Sequence, residues 1–167
     1  TTNLNALSST NLQALGSTQI QALTSTQLGA LSTTAVSNFA TDDLQSLTTT
    51  QVAALGSTQL SGLTSTQFQA LTSSQVRALS MSALSTTTVS NYATDDIQSL
   101  TTAQVATFST TQLNVLSSTQ FQALTSAQVR ALTSTQLGAL STTAVSNFAT
   151  DDLQSLTTTQ VAVLGTT

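Results

Sequence analysis

The side chains that could bind a metal ion in this chain are carboxylates, and all of them belong to adjacent aspartate pairs. These candidate calcium ligands are Asp42 and Asp43, Asp95 and Asp96, and Asp151 and Asp152. An asparagine lies four residues before the first aspartate of each pair, at Asn38, Asn91 and Asn147. Because Ca²⁺ takes about six to eight oxygen ligands, each cluster would supply only part of a site. The alternative is that each pair stabilises the N-terminus of a helix in which an alanine, Ala40, Ala93 or Ala149, stands where the hydroxyl cap normally is.

Catalytic chemistry has little support in the sequence. Serine and threonine nucleophiles are abundant, but the chain has no His, Lys or Cys that could accept their proton near neutral pH. The two carboxylates of each aspartate pair are adjacent, so on a helix they would diverge by about 100° instead of facing each other across a substrate. We therefore expect no enzymatic activity and no cofactor, with calcium as the one ion to consider.

These residues belong to an eight-residue unit, of which Thr24 to Leu31, with the sequence TSTQLGAL, is one copy. A large apolar residue opens each unit every eight residues from Leu4 to Val161, with one irregular step between Val76 and Met81. A second large apolar residue, usually Leu, follows three positions later and often has Ala just before it. A short fixed period of this kind predicts a repeat architecture in which neighbouring units share a core.

The spacing predicts a solenoid of very short helices. A continuous helix turns about 100° per residue, so a period of eight would carry the apolar stripe around the helix within a few units. The spacing of three between the two large apolar residues fits about one helical turn. We therefore expect an all-α solenoid with one helix of about 6–7 residues per unit, with both large apolar residues and the Ala pointing inward. The alternative is a β-solenoid, since Thr and Val favour strands and an even period keeps each position on one face. The spacing leaves two, three or four units per coil open.

Each unit also carries a helix start signal. Thr24 stands three residues before Gln27, which is the Ser/Thr-x-x-Gln capping box, and Gln occupies this third position in 12 of the 21 units. Gly16 and Gly56 replace the hydroxyl residue in two units, where Gly is tolerated as a cap or as the stop of the preceding helix. Isolated helices this short are unstable in water, so the units must stack to be stable.

The whole chain is predicted to be a single array of 21 octad-like units with a higher-order repeat. A distinctive block that begins at Thr33 returns at Thr86 and Thr142, which divides the array into 33–85, 86–141 and a partial copy, 142–167. The window 133–164 copies 24–55 with one change, Val163 for Ala54. Three residues are missing near Met81, where we expect two fused helices or a shortened corner. The start at Thr-Thr without Met leads us to expect an excerpt or a processed product.

The remaining candidate residues are cations and aromatics. Arg77 and Arg130 occupy matching places, and we expect them to be solvated, with an ion pair to an aspartate of a neighbouring coil or subunit as the alternative. Phe39, Tyr92 and Phe148 are expected to fill core positions, with a ligand-stacking platform as the alternative.

Composition limits the partners. The net charge is −4 and only two residues are cationic, which argues against nucleic acid and against anionic membrane surfaces. No apolar run approaches the length of a membrane span, so we expect no membrane insertion. Uncapped ends of the array favour self-association end to end or laterally, while a carbohydrate or other surface ligand would have to be identified separately.

The tandem units, such as STQLGAL and SSQVRAL, resemble the Thr/Gln/Leu-rich short-repeat regions of large secreted bacterial surface proteins of the adhesin or haemagglutinin-like kind. The resemblance covers essentially the whole chain and transfers no functional residues. It implies an extracellular or cell-surface location and a role as a fibre or stalk module that assembles by stacking of repeats. The alternative is a binding module, either an ice-binding protein or a calcium-responsive adhesin segment.

Overall fold

The computed structural model of the protein describes residues 2–164 and is all-α over that range, without a strand. The all-α prediction is confirmed and the β-solenoid alternative is wrong for this part of the chain. The α-helices are α1 (Thr2–Asn5), α2 (Ser9–Gln13), α3 (Ser17–Gln21), α4 (Ser25–Gly29), α5 (Thr33–Ser37), α6 (Thr41–Ser46), α7 (Thr49–Ala53), α8 (Ser57–Gly62), α9 (Ser65–Gln69), α10 (Ser73–Ala78), α11 (Thr86–Ser90), α12 (Thr94–Ser99), α13 (Thr102–Ala106), α14 (Thr110–Asn114), α15 (Ser118–Gln122), α16 (Ser126–Ala131), α17 (Ser134–Gly138), α18 (Thr142–Val145), α19 (Thr150–Ser155) and α20 (Thr158–Val163). One 3₁₀-helix, η1 (Met81–Ala83), lies between α10 and α11.

Each α-helix from α2 to α20 begins at the cap position that the sequence predicts. In α4 the hydroxyl of Thr24 accepts a hydrogen bond from the backbone N–H of Gln27 at 3.2 Å, and Gln27 Oε1 accepts from the N–H of Thr24 at 2.8 Å. Each helix is four to six residues long, slightly shorter than predicted. The reason is the corner: Leu47 and Thr48, for example, are both extended, with ψ of 141° and 158°, so each bend uses two residues of the unit.

The helices stack in threes. α3 packs on α6, α5 on α8, α13 on α16 and α17 on α20, and the same step of three elements recurs along the chain. One coil therefore has three sides and three units, which answers the question that the octad spacing leaves open. Grouped in this way, the 21 helical elements make seven coils.

The two large apolar residues of each unit form one continuous core along the coils. Leu28, Val36 and Leu44 are fully buried, and their equivalents from Val52 to Leu137 are at most 2% exposed. The residue before the second large apolar position, usually Ala, joins them less than predicted: Ala123 is buried, but the other alanines of the interior coils at this position are partly buried or exposed, such as Ala70, Ala131 and Ala139.

This small-residue position lies against the preceding coil instead of in the core. Gly62 occupies it in α8, and a Cβ there would approach the Cα and carbonyl oxygen of Thr33 in α5 to 2.8 Å. Ser46 occupies it in α6, and its hydroxyl lies 3.4 Å from the carbonyl oxygen of Ser17 in α3. The position therefore requires a small residue because two coils approach each other closely there.

The irregular step is a shortened side of one coil and not a fusion of two helices. The element η1 takes the place of an α-helix, so that α10 packs on α12 with η1 and α11 between them, the same number of elements as in the regular coils. Met81 is buried, and its sulfur lies 3.8 Å from the hydroxyl oxygen of Tyr92. The coil thereby absorbs the three missing residues without interrupting the core.

Candidate functional site

The most extensive polar constellation of the structure is built from glutamines at the third position of the helices. In α16, Gln128 Oε1 accepts a hydrogen bond from the backbone N–H of Thr125 at 2.8 Å, which closes the capping box. Its Nε2 donates to the carbonyl oxygens of Ile97 and Leu100 in the preceding coil, at 2.8 and 2.7 Å. The side chain is only 2% exposed. One amide therefore caps its own helix and binds the coil before it.

We call the ten glutamines that make both contacts the glutamine ladder. In nine of them Nε2 donates to the carbonyl oxygen 28 residues earlier, and in Gln104, which follows the shortened coil, the interval is 25. The members of the glutamine ladder are Gln51, Gln59, Gln67, Gln75, Gln104, Gln112, Gln120, Gln128, Gln136 and Gln160. Sequence reasoning predicted the capping half of this arrangement and missed the contact between coils. The available signal was the absence of Glu, which completes a capping box as well as Gln does but cannot donate.

Where the third position is Ala, an asparagine of the preceding coil replaces the missing amide. The third residue of α5 is Ala35, and there Asn5 Oδ1 accepts from the cap N–H of Ser32 at 2.8 Å while Asn5 Nδ2 donates to the carbonyl of Ala30 at 2.9 Å. Asn114 does the same for Ser141 and Ala139 in the last copy. The cap N–H groups of Ser32 and Ser141 are thus bonded although neither unit has a capping box.

The aspartate pairs lie at helix N-termini. Asp43 Oδ2 accepts from the backbone N–H of Ala40 at 3.2 Å, and Oδ1 accepts from the hydroxyl of Ser17 at 3.1 Å. Asp152 makes the equivalent contacts with Ala149 and Ser126. The second aspartate of each pair is buried and the first is exposed. This geometry matches the capping interpretation of the pairs.

Asp96 differs from its two counterparts. Its carboxylate accepts from the backbone N–H of Ala93 at 3.2 Å, but within residues 2–164 it has no hydroxyl donor of the kind that Ser17 provides to Asp43. Burial raises the pKa of Asp96 above its ordinary value, the hydrogen bond from Ala93 opposes this rise, and the charge of Asp95 adds to it.

The three aspartate pairs are far apart in the stack. They lie on α6, α12 and α19, which are seven elements apart, so that in a three-sided solenoid each lies on a different side. No group of three acidic, His or Cys side chains that could hold a metal ion occurs in the described range. Asn38 and Asn147 donate to the carbonyl oxygens of Thr34 and Thr143 on their own helices. Calcium binding at the pairs stays a prediction, and the absence of any change in thermal stability at millimolar Ca²⁺ would remove it.

The other candidate side chains are placed as follows. Arg77 and Arg130 are exposed, and neither forms an ion pair with a residue of the described part of the chain.

Phe39, Tyr92 and Phe148 are buried, which confirms their predicted core role. Tyr92 packs edge-to-face on Phe68 with ring centroids 5.0 Å apart, and burial raises the pKa of its hydroxyl above its ordinary value.

The two ends of the stack differ from its middle. Leu153 and Val161, in α19 and α20, are 43% and 51% exposed, whereas their counterparts Leu44 and Val52 are fully buried beneath the next coil. At the other end Gln19 occupies the third position of α3 and is exposed, although most members of the glutamine ladder are buried. Each end therefore presents a surface that the interior coils cover.

No helix within residues 2–164 has the length and apolar character needed to cross a membrane.

A family model described as the ALTTAQ repeat matches residues 1–33, 36–73, 52–81, 89–126 and 121–150, and together these segments cover most of the chain. No curated protein and no solved structure matches it.

Proposed function

The chain belongs to the ALTTAQ repeat family, and we propose that this structural repeat protein is a segment or subunit of an extracellular fibre or stalk. The LTTAQ of the family's name stands in this chain as Leu100 to Gln104. In each such unit Leu lies in the core, a hydroxyl residue caps the helix and Gln binds the preceding coil. The sequence of the unit therefore encodes stacking itself.

The glutamine ladder is the observation that supports this proposal. Ten amides join successive coils through bonds to buried carbonyl groups, and no buried side-chain nitrogen or oxygen of the described residues lacks a partner. A satisfied polar network of this kind fixes one register between coils, because a shift would leave buried donors and acceptors unpaired. A stack with a fixed register and a continuous core is suited to hold two points apart, which is what a stalk does.

Surface composition is compatible with an exposed role. The outer positions are mainly Ser, Thr, Gln and Asn, and charged residues make up 5% of the chain. The resemblance to short-repeat regions of secreted bacterial surface proteins supports the same location. The absence of His, Lys and Cys leaves the hydroxyl groups without a partner for catalysis near neutral pH.

Small-angle X-ray scattering of the full chain tests the shape. Seven coils at about 9–10 Å each, the usual distance between packed helices, give a rod of about 65 Å. Its radius of gyration would be about 20 Å, against about 15 Å for a compact domain of this length. A compact value would contradict the proposal.

Antibody labelling of the source cells tests the location. An antibody raised against the purified chain should bind intact, unpermeabilised cells or their shed material. Labelling that appears only after permeabilisation would contradict an extracellular role.

An ice-binding surface is the second candidate, because one side of the stack carries a column of exposed threonines. Two groups of stacked helices form this side: α3, α6 and α9, and then α11, α14, α17 and α20. The hydroxyl of Ser65 in α9 bonds to the side chain of Asn91 at the end of α11, which connects the two groups. The second residues of all seven helices lie on this side. These exposed residues are Thr18, Thr66, Thr87, Thr111, Thr135 and Thr159, interrupted by Asp42. From the sequence we expected Thr to be mixed with Ser and Gln at the outward positions, but on this side six of the seven second helix residues are Thr. Thermal hysteresis that is lost in the variant Thr111→Lys/Thr135→Lys would support ice binding, and its absence in the unmodified chain would exclude it.

A further inference from the structure

We propose that the stack contains a hinge between residues 2–79 and residues 80–164, at the coil that begins with η1. The two parts tilt against each other, with the pivot at Leu79, where the chain passes from one part to the other. This inference goes beyond the proposed structural function, because it says where the stack bends and does not depend on the location of the protein.

At a regular junction, four glutamines of the ladder join the two parts of the stack. Between residues 2–100 and 101–164 the glutamines are those of four consecutive helices, α13 to α16, which in a three-sided solenoid include every side. Their amides all donate to corner carbonyl groups of the earlier part. A tilt at this junction would break hydrogen bonds to buried carbonyl groups, which is costly. The regular junctions are therefore stiff.

At the junction before η1, only one of the four glutamines remains, Gln104. The element η1 lacks the third helix position because the missing residues would have supplied it, and α11 and α12 have Thr88 and Asp96 there. Thr88 bonds to the hydroxyl of Ser85 in its own unit, and Asp96 accepts from its own cap. Three corner carbonyl groups of the earlier part accept no hydrogen bond from the described residues: those of Leu55, Leu63 and Leu71.

The contact of Gln104 is itself looser than the others. Its Nε2 lies 3.3, 3.0 and 3.1 Å from the carbonyl oxygens of Val76, Arg77 and Leu79. In the other nine members of the glutamine ladder the corner carbonyl oxygen is 2.6–2.8 Å away. Gln104 is also only half-buried, whereas those nine are buried. Because its acceptors directly precede the pivot, this contact does little to resist a tilt.

The aspartate-bearing block is attached to the preceding coil in the two other copies but not in the middle one. In α6, Asp43 accepts from Ser17 at 3.1 Å, and in α19, Asp152 accepts from Ser126 at 3.0 Å. Ser73 holds the same place at the start of α10, on which α12 packs, but its hydroxyl does not donate to Asp96. The shortened coil has therefore lost this bond as well.

The remaining hydrogen bonds of η1, α11 and α12 to the earlier part converge on one residue. Ser65 donates to Asn91 Oδ1 at 3.0 Å, and Gln69 Nε2 donates to the carbonyl oxygen of Asn91 at 3.3 Å. Otherwise the junction is held by the core, in which Met81, Val89 and their neighbours stay buried. Apolar contact is non-directional, so it keeps the two parts together without fixing the angle between them. A continuous core with few directional bonds is what a hinge requires.

Distances between pairs of spin labels test the hinge. The chain has no Cys, so labels can be attached to introduced cysteines alone. Thr66→Cys/Thr135→Cys spans the hinge, and the matched control Thr87→Cys/Thr159→Cys lies within residues 80–164. All four residues are exposed on the same side of the stack. Either pair spans three coils, which at the usual distance between packed helices is about 30 Å.

Double electron–electron resonance of the full chain should give a distance distribution about twofold wider for the pair across the hinge than for the control pair. Circular dichroism should show that both labelled variants keep their helices. Equal widths would overturn the proposal.

An insertion tests the cause. Placing Ser-Thr-Gln between Ser80 and Met81 restores a complete unit, with Ser80 as the cap and the inserted Gln at the third position. By the rule of the glutamine ladder, this Gln would donate to the carbonyl of Leu55. The insertion should narrow the distribution of the Thr66→Cys/Thr135→Cys pair to the width of the control pair. Insertion of Gly-Ser-Gly at the same place adds equal length without a helix former or an amide and should leave the distribution wide.

A Ser-Thr-Gln insertion that leaves the distribution wide would overturn the proposal, and so would a Gly-Ser-Gly insertion that narrows it as much. Failure of the hinge is distinguishable from failure of the proposed function. With equal widths, a radius of gyration near that of a rod and labelling of intact cells would leave the function standing.

Discussion

Replacing Gln128 with Glu separates the two halves of the glutamine contact. The introduced carboxylate can still accept from the N–H of Thr125, now 2.8 Å from Oε1, so the helix cap survives. It cannot donate to the carbonyl oxygens of Ile97 and Leu100, which the amide approaches to 2.8 and 2.7 Å. The side chain at this position is only 2% exposed, so the negative carboxylate would be buried. It would also lie next to the negatively polarised oxygens of both carbonyl groups. The variant therefore loses the contact between coils and keeps the capping box.

The expected cost is the loss of two hydrogen bonds and the burial of an unpaired charge. Leaving a buried charge without a partner costs about 3–5 kcal/mol, and for a chain of this size each kcal/mol lowers the melting temperature by about 2–4 °C. We expect the thermal midpoint of Gln128→Glu at neutral pH to fall by about 10 °C. At about pH 4 the protonated carboxyl group can donate to one carbonyl again, so the difference from the unmodified chain should become smaller.

The matched control is Gln19→Glu, at the same position of a helix with no coil before it among the described residues. Gln19 is exposed, its Oε1 accepts from the N–H of Gly16 at 3.0 Å, and its amide nitrogen has no partner within residues 2–164. Its replacement should change the free energy of unfolding by less than about 0.5 kcal/mol. Thermal unfolding followed by circular dichroism, at a protein concentration where the chain is monomeric, measures both variants. Equal effects at Gln128 and Gln19 would refute the conclusion that the amide binds the preceding coil.

Two further predictions concern the middle copy of the higher-order repeat. Burial raises the pKa of Asp96 in the folded chain, so the contribution of Asp96 to the free energy of unfolding falls as the pH rises above about 3.9, the ordinary value for Asp. In thermal unfolding, Asp96→Asn should therefore be more stabilising at pH 7 than at pH 3.5. The opposite order would contradict a raised pKa for Asp96. Tyr92→Phe removes a hydroxyl whose partner is the sulfur of Met81, at 3.8 Å, and puts in place the residue found at Phe39 and Phe148, so denaturant unfolding should show a change below about 1 kcal/mol. A loss of several kcal/mol would mean that the hydroxyl has a stronger partner.

The sequence was sufficient to predict the helix in each unit because the signals are local. The hydroxyl of Thr24, the amide of Gln27 and the apolar spacing after them lie within a few residues of one another. The mismatch between a period of eight and the helical turn then requires a bend in every unit. These two arguments predict the all-α solenoid without any knowledge of long-range contacts.

The number of units per coil did not follow from the sequence, since it depends on the corner. Two extended residues, such as Leu47 and Thr48, set the angle between successive helices, and neither residue type fixes that angle. The orientation of the alanines was wrong for a related reason. Ala22 lies near the core leucine in sequence, but the tight approach of the coils seen at Gly62 shows that this position faces a neighbouring coil.

The donor half of the glutamine contact was missed because its partners are 28 residues away. A capping box accounts for Gln128 without further contacts, so local reasoning had no reason to look for an acceptor. The lack of Glu in the chain becomes informative only once the preceding coil is known to place carbonyl groups within reach of Nε2. The candidate site was thus half predictable, and the missing half is the part that joins the coils.

The mismatch between the two repeat lengths bears on function. A coil has three units, and the higher-order repeat has seven, so each copy of the aspartate-bearing block lies one side further around the stack. The blocks on α6, α12 and α19 consequently occupy all three sides, and no side carries more than one of them. A stripe built from a feature that occurs once per block would need a block that is a multiple of three units. Duplication in steps of seven preserves the caps and the contacts between coils but distributes such features, the aspartate pairs among them, around the rod, which favours selection for the stack itself over selection for a binding face built from these blocks.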